Sequence, residues 1–309
     1  MARYGTPYQG SKSRIAPWVV GHLPAAPVLV DLFAGGCAVT HAAMESGRWG
    51  KVIANDLGEG PDVFRRAVEG EFAHDTTVWT HEEFLLHRDD DFAHALVHSF
   101  GNNARDYLWS PVMEAVKVPA CRMLLADTWQ ERYRLYHRFM DALAVYVAAH
   151  GAVPGQGNRC KCELEGLQRL QGLQRLQGLQ GLQGLQRLQG LLEVSRLDYR
   201  EVAIPEGAAV YADPPYRGTD QRGYSQAGRF SHDEFEGWLG SVPFMVVVSE
   251  YTAPRGCVEV AARERQCSMA ASGVSQKTTE RLFVQERFAD EYRERMGLLA
   301  IEEESREGA

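Results

Sequence analysis

The stretch from Val28 to Asp56 limits the possible folds more than any other part of this chain. Val28-Leu29-Val30-Asp31-Leu32-Phe33 is a nearly continuous apolar run, the pattern of a strand buried on both faces of a parallel sheet. Ala34-Gly35-Gly36-Cys37-Ala38 breaks it. From Val39 to Glu45 the spacing is helical, and Val52-Ile53-Ala54-Asn55-Asp56 reads as a second strand ending in an acid. A strand, glycine turn, helix and strand, with an acid about 20 residues past the turn, is the layout of a nucleoside-cofactor site in a doubly wound sheet. Cys37, beside the turn, reads as a small packing residue rather than a nucleophile.

A second α/β block follows residue 195. Ala208-Ala209-Val210-Tyr211-Ala212 is strand-like and runs into Asp213-Pro214-Pro215-Tyr216, where two prolines forbid continuation of helix or ladder. Asp233 to Leu239 is a helix with Ser231 as its N-cap, Phe244 to Ser249 is a buried strand, and Glu280 to Gln285 is a shorter one. The two α/β stretches are expected to share one sheet and to flank a middle of different character. That middle has helical patterns over Phe92–Phe100 and Met123–Ala149. The second carries Arg132, Arg134 and Arg138 among Tyr133, Tyr136 and Phe139, either a phosphate-tracking surface or an amphipathic helix with aromatics facing a core.

From Leu164 to Leu191 leucine recurs at every third residue, mostly as Leu-Gln-Gly or Leu-Gln-Arg. A period of three matches neither the α-helix nor the strand. In an α-helix each triplet would turn the leucines by about 60°. In a 3₁₀ helix they would form one straight stripe, although such runs are normally a few residues long. Stacked triplet edges, closer to a solenoid, are a third arrangement. The segment reads as a spacer or DNA-facing module of variable length, or as an inert repeat in a tolerant region.

The net charge of -8, from 33 basic and 41 acidic residues, argues at first against a nucleic-acid partner. Its distribution argues otherwise. Residues 1–100 hold 8 basic and 13 acidic side chains, residues 101–200 hold 13 and 9, and residues 201–309 hold 12 and 19. No apolar run approaches the roughly 20 residues of a membrane span. Met1 to Gly10 lacks the apolar core of a signal peptide, so a cytoplasmic location and no membrane partner are expected. Six cysteines in 309 residues are too few for a disulfide framework. Cys160-Lys161-Cys162 near His150 lacks the second ligand pair of a structural zinc site and reads as free loop thiols.

Asp213-Pro214-Pro215-Tyr216 is the most informative tetrapeptide. It ends a strand at the carboxyl edge, where ligands bind in open α/β sheets. The Asp213 carboxylate and a proline-flanking carbonyl can each accept a hydrogen from one exocyclic amine, and Tyr216 can stack on a flat base. Two acceptors on one NH₂ raise the electron density of its nitrogen for attack on an electrophilic methyl group.

With these motifs in this order, the sequence resembles the Dam-type S-adenosylmethionine-dependent DNA adenine-N6 methyltransferases, especially their phage relatives. Tyr8-Gln9-Gly10-Ser11-Lys12 resembles the family's N-terminal motif, whose aromatic and lysine contact the methionine part of the cofactor. Asp31 to Gly36 resembles its glycine loop, so Phe33, Ala34, Gly35 and Gly36 are implied cofactor residues. Asp56 matches the acid on the ribose hydroxyls. Leu197-Asp198-Tyr199 resembles the motif that holds the cofactor's adenine, and Asp213 to Tyr216 match the catalytic tetrapeptide. Ser249-Glu250-Tyr251 and Thr279 to Val284 resemble later strands, and Ser99-Phe100-Gly101-Asn102-Asn103 looks like phage members.

The resemblance implies a Rossmann-like doubly wound sheet with an inserted, mainly helical target-recognition domain. Residues 1–70 and 195–309 would bind S-adenosylmethionine and catalyse, and residues 71–194 would recognise double-stranded DNA, with Asn102, Asn103, Arg132, Arg134 and Arg138 as candidate contacts. Asp213, Pro214 and Tyr216 would be catalytic, with no metal, covalent intermediate or protein partner required. Two rivals stand beside this reading: an RNA or protein amine methyltransferase, and a non-catalytic DNA-binding protein on the same fold.

Overall fold

Short apolar runs at Val28–Asp31 (β1), Lys51–Asn55 (β2), Ala209–Ala212 (β4) and Val247–Glu250 (β5) form the parallel centre of a seven-stranded sheet. Leu192–Ser195 (β3), Cys257–Cys267 (β6) and Gln276–Gln285 (β7) complete it. The computed structural model describes residues 4–150, 170–217, 230–267 and 276–297. The strand order is β3-β2-β1-β4-β5-β7-β6, with β7 antiparallel to both β5 and β6. The chain order reverses between β1 and β4, which pair in parallel with Asp31 opposite Tyr211. Such a switch point opens a crevice at the carboxyl ends of the strands.

Ala16–Gly21 (α1), Ala38–Ser46 (α2), Gly60–Val68 (α3) and His81–His87 (α4) are followed by Phe92–Val97 (α5), Pro111–Leu125 (α6) and Trp129–His150 (α7). Gln171–Gly181 (α8), His232–Ser241 (α9) and Ala289–Arg295 (α10) complete the series among the described residues. Two compact units emerge: Met1–Gly5, Ser11–Arg65 and Arg187–Ala309 form one, and Thr6–Gly10 with Arg66–Gln186 form the other.

In the first unit, Val30, Leu32, Val210, Ala212, Leu239, Val246 and Val248 form a core on which Phe33, Phe230 and Trp238 pack. Each fully buried aliphatic side chain contributes about 1.5–3 kcal/mol. Ser231 Oγ caps α9 by accepting the Glu234 N–H at 3.3 Å. In the second unit, Val116, Val118, Cys121, Phe139, Leu170 and Leu173 form a separate core.

The triplet repeat takes two conformations in succession. It is α-helical over α8 and a ten-residue 3₁₀ helix over Leu182–Leu191, while residues 164–169 lie outside the described residues. Leu170, Leu173, Leu176, Leu179, Leu182 and Leu185 are all buried. The change of helix type has a geometric cause. The three leucines of α8, drifting by about 60° per triplet, already sweep about a third of an α-helix, and further turns would carry the next ones to the far side. Tightening to 3.0 residues per turn stops the drift.

The helical pattern expected over 123–149 breaks at Ala126, where the chain becomes extended between α6 and α7. On α7, Leu135 and Phe139 are buried, whereas Trp129, Tyr133, Tyr136 and Met140 are exposed. Cys160 and Cys162 lie outside the described residues. No helix among the described residues is long and apolar enough to cross a membrane.

Candidate active site

The carboxyl ends of β1, β2 and β3 are tied together by one buried side chain. Asn55 donates from Nδ2 to the carbonyls of Leu32 (3.1 Å) and Leu197 (3.0 Å), and its Oδ1 accepts from Ser195 Oγ (2.8 Å) and the Leu197 N–H (3.0 Å). All four hydrogen-bonding positions of the amide are used. This fixes the segments on which Phe33, Asp56 and Asp198 sit. Asn55 was passed over in the sequence because an asparagine before an acid carries no spacing signal.

Gly35 adopts φ +49°, a conformation that favours glycine, and its N–H donates to Asp56 Oδ2 at 2.9 Å. Asp56 Oδ1 accepts the Gly58 N–H at 2.7 Å. Burial raises the Asp56 pKa, and these two backbone donors oppose the rise. Gly36 is buried, and a Cβ on Gly5 would lie 2.3 Å from its carbonyl oxygen. Ala34 donates its N–H to the Asn55 carbonyl at 2.8 Å. Cys37 is fully buried and burial pushes its thiol well above the usual range, which suits packing and not nucleophilic attack.

The Phe33 ring packs on Tyr199 at 5.3 Å, and both meet Phe235. Tyr199 is buried in this aromatic group. The Asp198 carboxylate is gripped by Arg200, Nε to Oδ1 at 2.8 Å and Nη2 to Oδ2 at 2.9 Å, which lowers its pKa. Tyr8 belongs to Thr6–Gly10, which groups with the second unit, whereas Lys12 belongs to the first.

Asp213 follows β4 at the switch point. Lys12 Nζ lies 2.9 Å from Asp213 Oδ1 and 3.0 Å from Glu280 Oε1, and donates to Tyr216 Oη at 2.6 Å. Asp213 Oδ1 is buried and ion-paired with this ammonium. Tyr216 Oη in turn donates to Glu280 Oε1, which also accepts from Ser249 Oγ at 3.3 Å. The ammonium stands 4.3 Å from the centre of the Tyr216 ring, and Tyr251 meets that ring edge-on at 4.5 Å. The expected stacking surface of Tyr216 therefore already carries a cation and an aromatic neighbour.

Asp31 and Glu280 are each 1% exposed, whereas the Asp213 side chain is 17% exposed and is the most accessible acid of the three. Asp31 Oδ2 accepts from Thr40 Oγ1 at 2.8 Å, but Oδ1 is buried without a partner. Burial pushes the Asp31 carboxyl up to about 7. Burial also raises Asp213, opposed by Lys12. For Lys12, burial alone would lower the pKa, but Asp213 and Glu280 reverse this and raise it. Glu280 and Glu250 had no role in the sequence reading. A single acid inside a strand shows nothing of the cation brought to it from another part of the chain.

The candidate DNA contacts lie elsewhere. Asn102 has φ +59°, and Asn103 Oδ1 accepts the N–H groups of Arg105 (2.9 Å) and Asp106 (3.0 Å), so both shape a turn. Arg132 donates to the Ala126 carbonyl at 2.7 Å beyond α6, Arg134 lies 3.9 Å from Glu131, and Arg138 is exposed on α7.

A parallel sheet with a reversal at its centre, a glycine turn paired to an acid, and carboxylates at the carboxyl edge define an α/β protein consistent with a methyltransferase fold. Residues 8–94 match the family model of the D12 class N6 adenine-specific DNA methyltransferases. The match over this segment supports a Dam-type adenine methyltransferase and so an enzyme. The matched segment includes Tyr8, Lys12, Gly35 and Asp56 but ends before Asp213. No curated protein matches the chain.

Proposed function

We propose that this enzyme transfers a methyl group from S-adenosylmethionine to N6 of an adenine flipped out of double-stranded DNA, at a specific sequence and in the cytoplasm. The observation that carries this reading is Asp213 at the switch point, beside a buried cation, with part of its side chain still exposed. The residues suit the cofactor. Asp56 is an acceptor-only group at the end of β2 and matches a ribose diol. Two acids, Asp213 and Glu280, face one ammonium, and Asp31 lies within electrostatic reach of Asp213, so the pocket favours a further positive charge such as a sulfonium.

When bound, the cofactor supplies an electrophilic methyl group on a positively charged sulfur. Asp213 and the Pro214 carbonyl would accept the two amine hydrogens of the target base, fix its orientation and raise the electron density of its nitrogen. A small cleft beside Pro214 is lined in part by Arg217, Glu236 and Glu250. Flipping the base out of the duplex costs a few kcal/mol. Residues 71–194 would recognise the DNA, with Arg132, Arg134, Arg138, Asn102 and Asn103 as candidate contacts. Phe33, Tyr199 and Asp198 would border the cofactor's adenine, and Tyr8 and Lys12 its methionine end.

Incubation with methyl-labelled cofactor and equal amounts of duplex DNA, RNA and protein tests the reading. Label retained on DNA adenine supports it. Label on RNA or protein would replace it with the other amine methyltransferase, and cofactor binding without transfer would leave a non-catalytic binding protein.

A further inference from the structure

We propose that Glu280 is a positioning residue, a second carboxylate that holds the Lys12 ammonium so that Asp213 keeps an acceptor open for the incoming amine; the inference rests on the function proposed above. A carboxylate that is 1% exposed in the middle of β7 is a poor choice for stability, since apolar side chains of similar volume do as well or better. Its neighbours point to another purpose. Oε1 takes the Tyr216 hydroxyl and the Ser249 hydroxyl and stands 3.0 Å from Lys12 Nζ.

Without Glu280, the single ammonium would have one carboxylate to face. It would close on Asp213 with a charge-assisted hydrogen bond, which is roughly twice as strong as a neutral one, and a neutral amine would compete poorly. With Glu280 present, the Lys12 ammonium is shared among Tyr216, Glu280 and Asp213 Oδ1, and the Asp213 side chain keeps 17% exposure. The pocket also keeps an excess of negative charge, which opposes the positive charge that grows on the amine nitrogen as it is methylated. The strand order makes this possible. β7 lies next to β5, with Glu250 opposite Arg281, so a residue near the end of the chain reaches the β4 edge.

The other ionisable groups around Asp213 are Asp31 on β1, Tyr211 on β4, Tyr216 beyond it, and Glu250 at the end of β5. Each is present in every variant below, so differences between variants report on Lys12 and Glu280.

At saturating cofactor and DNA, Glu280→Gln should lower kcat at least about tenfold, while the cofactor dissociation constant from calorimetry changes less than about threefold. Lys12→Met leaves Asp213 and Glu280 facing each other without a counter-charge, so the acid limb of its kcat profile should move up by about one pH unit or more. Removing both, in Lys12→Met/Glu280→Gln, should raise kcat above that of Lys12→Met and bring the acid limb back. A purely structural role predicts losses that add and an acid limb that does not move. Wild-type kcat in Glu280→Gln, or additive losses in the double variant, would overturn the proposal. Should Glu280→Gln fail to fold, Glu280→Asp keeps the charge and shortens the reach. A loss of at least about threefold in kcat with unchanged cofactor binding supports the inference, and wild-type kcat overturns it. Absence of transfer by the wild-type chain on any DNA would instead overturn the function itself, and the inference with it.

Discussion

Each unit of this enzyme buries a cation between two acids, and the two clusters differ in how completely their hydrogen bonds are satisfied. In the second unit His94 donates from Nδ1 to Asp91 Oδ2 at 2.7 Å and from Nε2 to Asp75 Oδ2 at 2.6 Å. The remaining oxygens are also used: Asp91 Oδ1 accepts the His94 N–H at 3.2 Å as the N-cap of α5, and Asp75 Oδ1 accepts the Thr77 N–H at 2.8 Å. The imidazole is lodged among Trp79, Phe72 and His98. In the first unit Lys12 also faces two acids, yet Asp213 Oδ1 and Asp31 Oδ1 have no hydrogen-bonded partner. The saturated cluster holds an element in place. The other keeps two buried acceptors outside its hydrogen bonds.

The comparison breaks most sharply at Asp213. Asp213→Ala should lower methyl transfer about a thousandfold, equivalent to about 4 kcal/mol of barrier, while the melting temperature stays within a few degrees. Loss of folding along with activity would erase the distinction between the clusters. His94→Ala should do the reverse, leaving two buried acids unpaired and destabilising the second unit by about 3–5 kcal/mol in urea unfolding. Unchanged unfolding would show that the clamp holds nothing.

The same cluster predicts a pH dependence. Burial works against a charged His94, but its hydrogen bonds to Asp75 and Asp91 raise its pKa from 6.5 to about 9. A raised folded-state value contributes stability that is fully present below about 6.5 and is lost as pH rises through about 9. Asp75 and Asp91 are lowered, so their share is present above the ordinary aspartate range and is lost as pH falls below it. Stability of the wild type should therefore drop by about 2–3 kcal/mol more between pH 6 and pH 10 than that of a His94→Asn variant. His98, pushed down to about 4 by burial, stays neutral throughout.

The smallest effect is expected outside both clusters. Arg138→Ala on the exposed side of α7 should change stability by less than about 0.5 kcal/mol. It should also reduce the slope of log affinity for DNA against log salt by about one. An unchanged slope would remove Arg138 from the DNA-facing surface.

How much of this was readable beforehand follows from where the signals lie. β1, β2, β4 and β5 are short apolar runs, and burial on both faces writes that pattern directly into the sequence. β6 was missed because Cys257–Cys267 is an edge strand carrying Glu259, Arg263, Glu264 and Arg265, the charges that protect an edge and also hide it. β3 is four residues long and follows the repeat without a break. The acids of the site were legible where a strand ended in one, at Asp56 and Asp213. The groups that complete it were not: Asn55, Glu280 and the clamp of Arg200 on Asp198 act through partners that the fold supplies. The repeat left three conformations open, because its period suits the second half of the segment better than the first.

The position of β7 between β5 and β6 has a consequence for how the molecule is made. Lys12 precedes Asp213 by about two hundred residues, and Glu280 lies on β7, which follows both. During vectorial synthesis, with N-terminal parts free to assemble first, the glycine turn and Asp56 can be in place while the ammonium still lacks its second acid. The final hairpin slots β7 against β5 and closes the charge balance. A chain interrupted before β7 would hold the glycine turn without the second acid beside the ammonium.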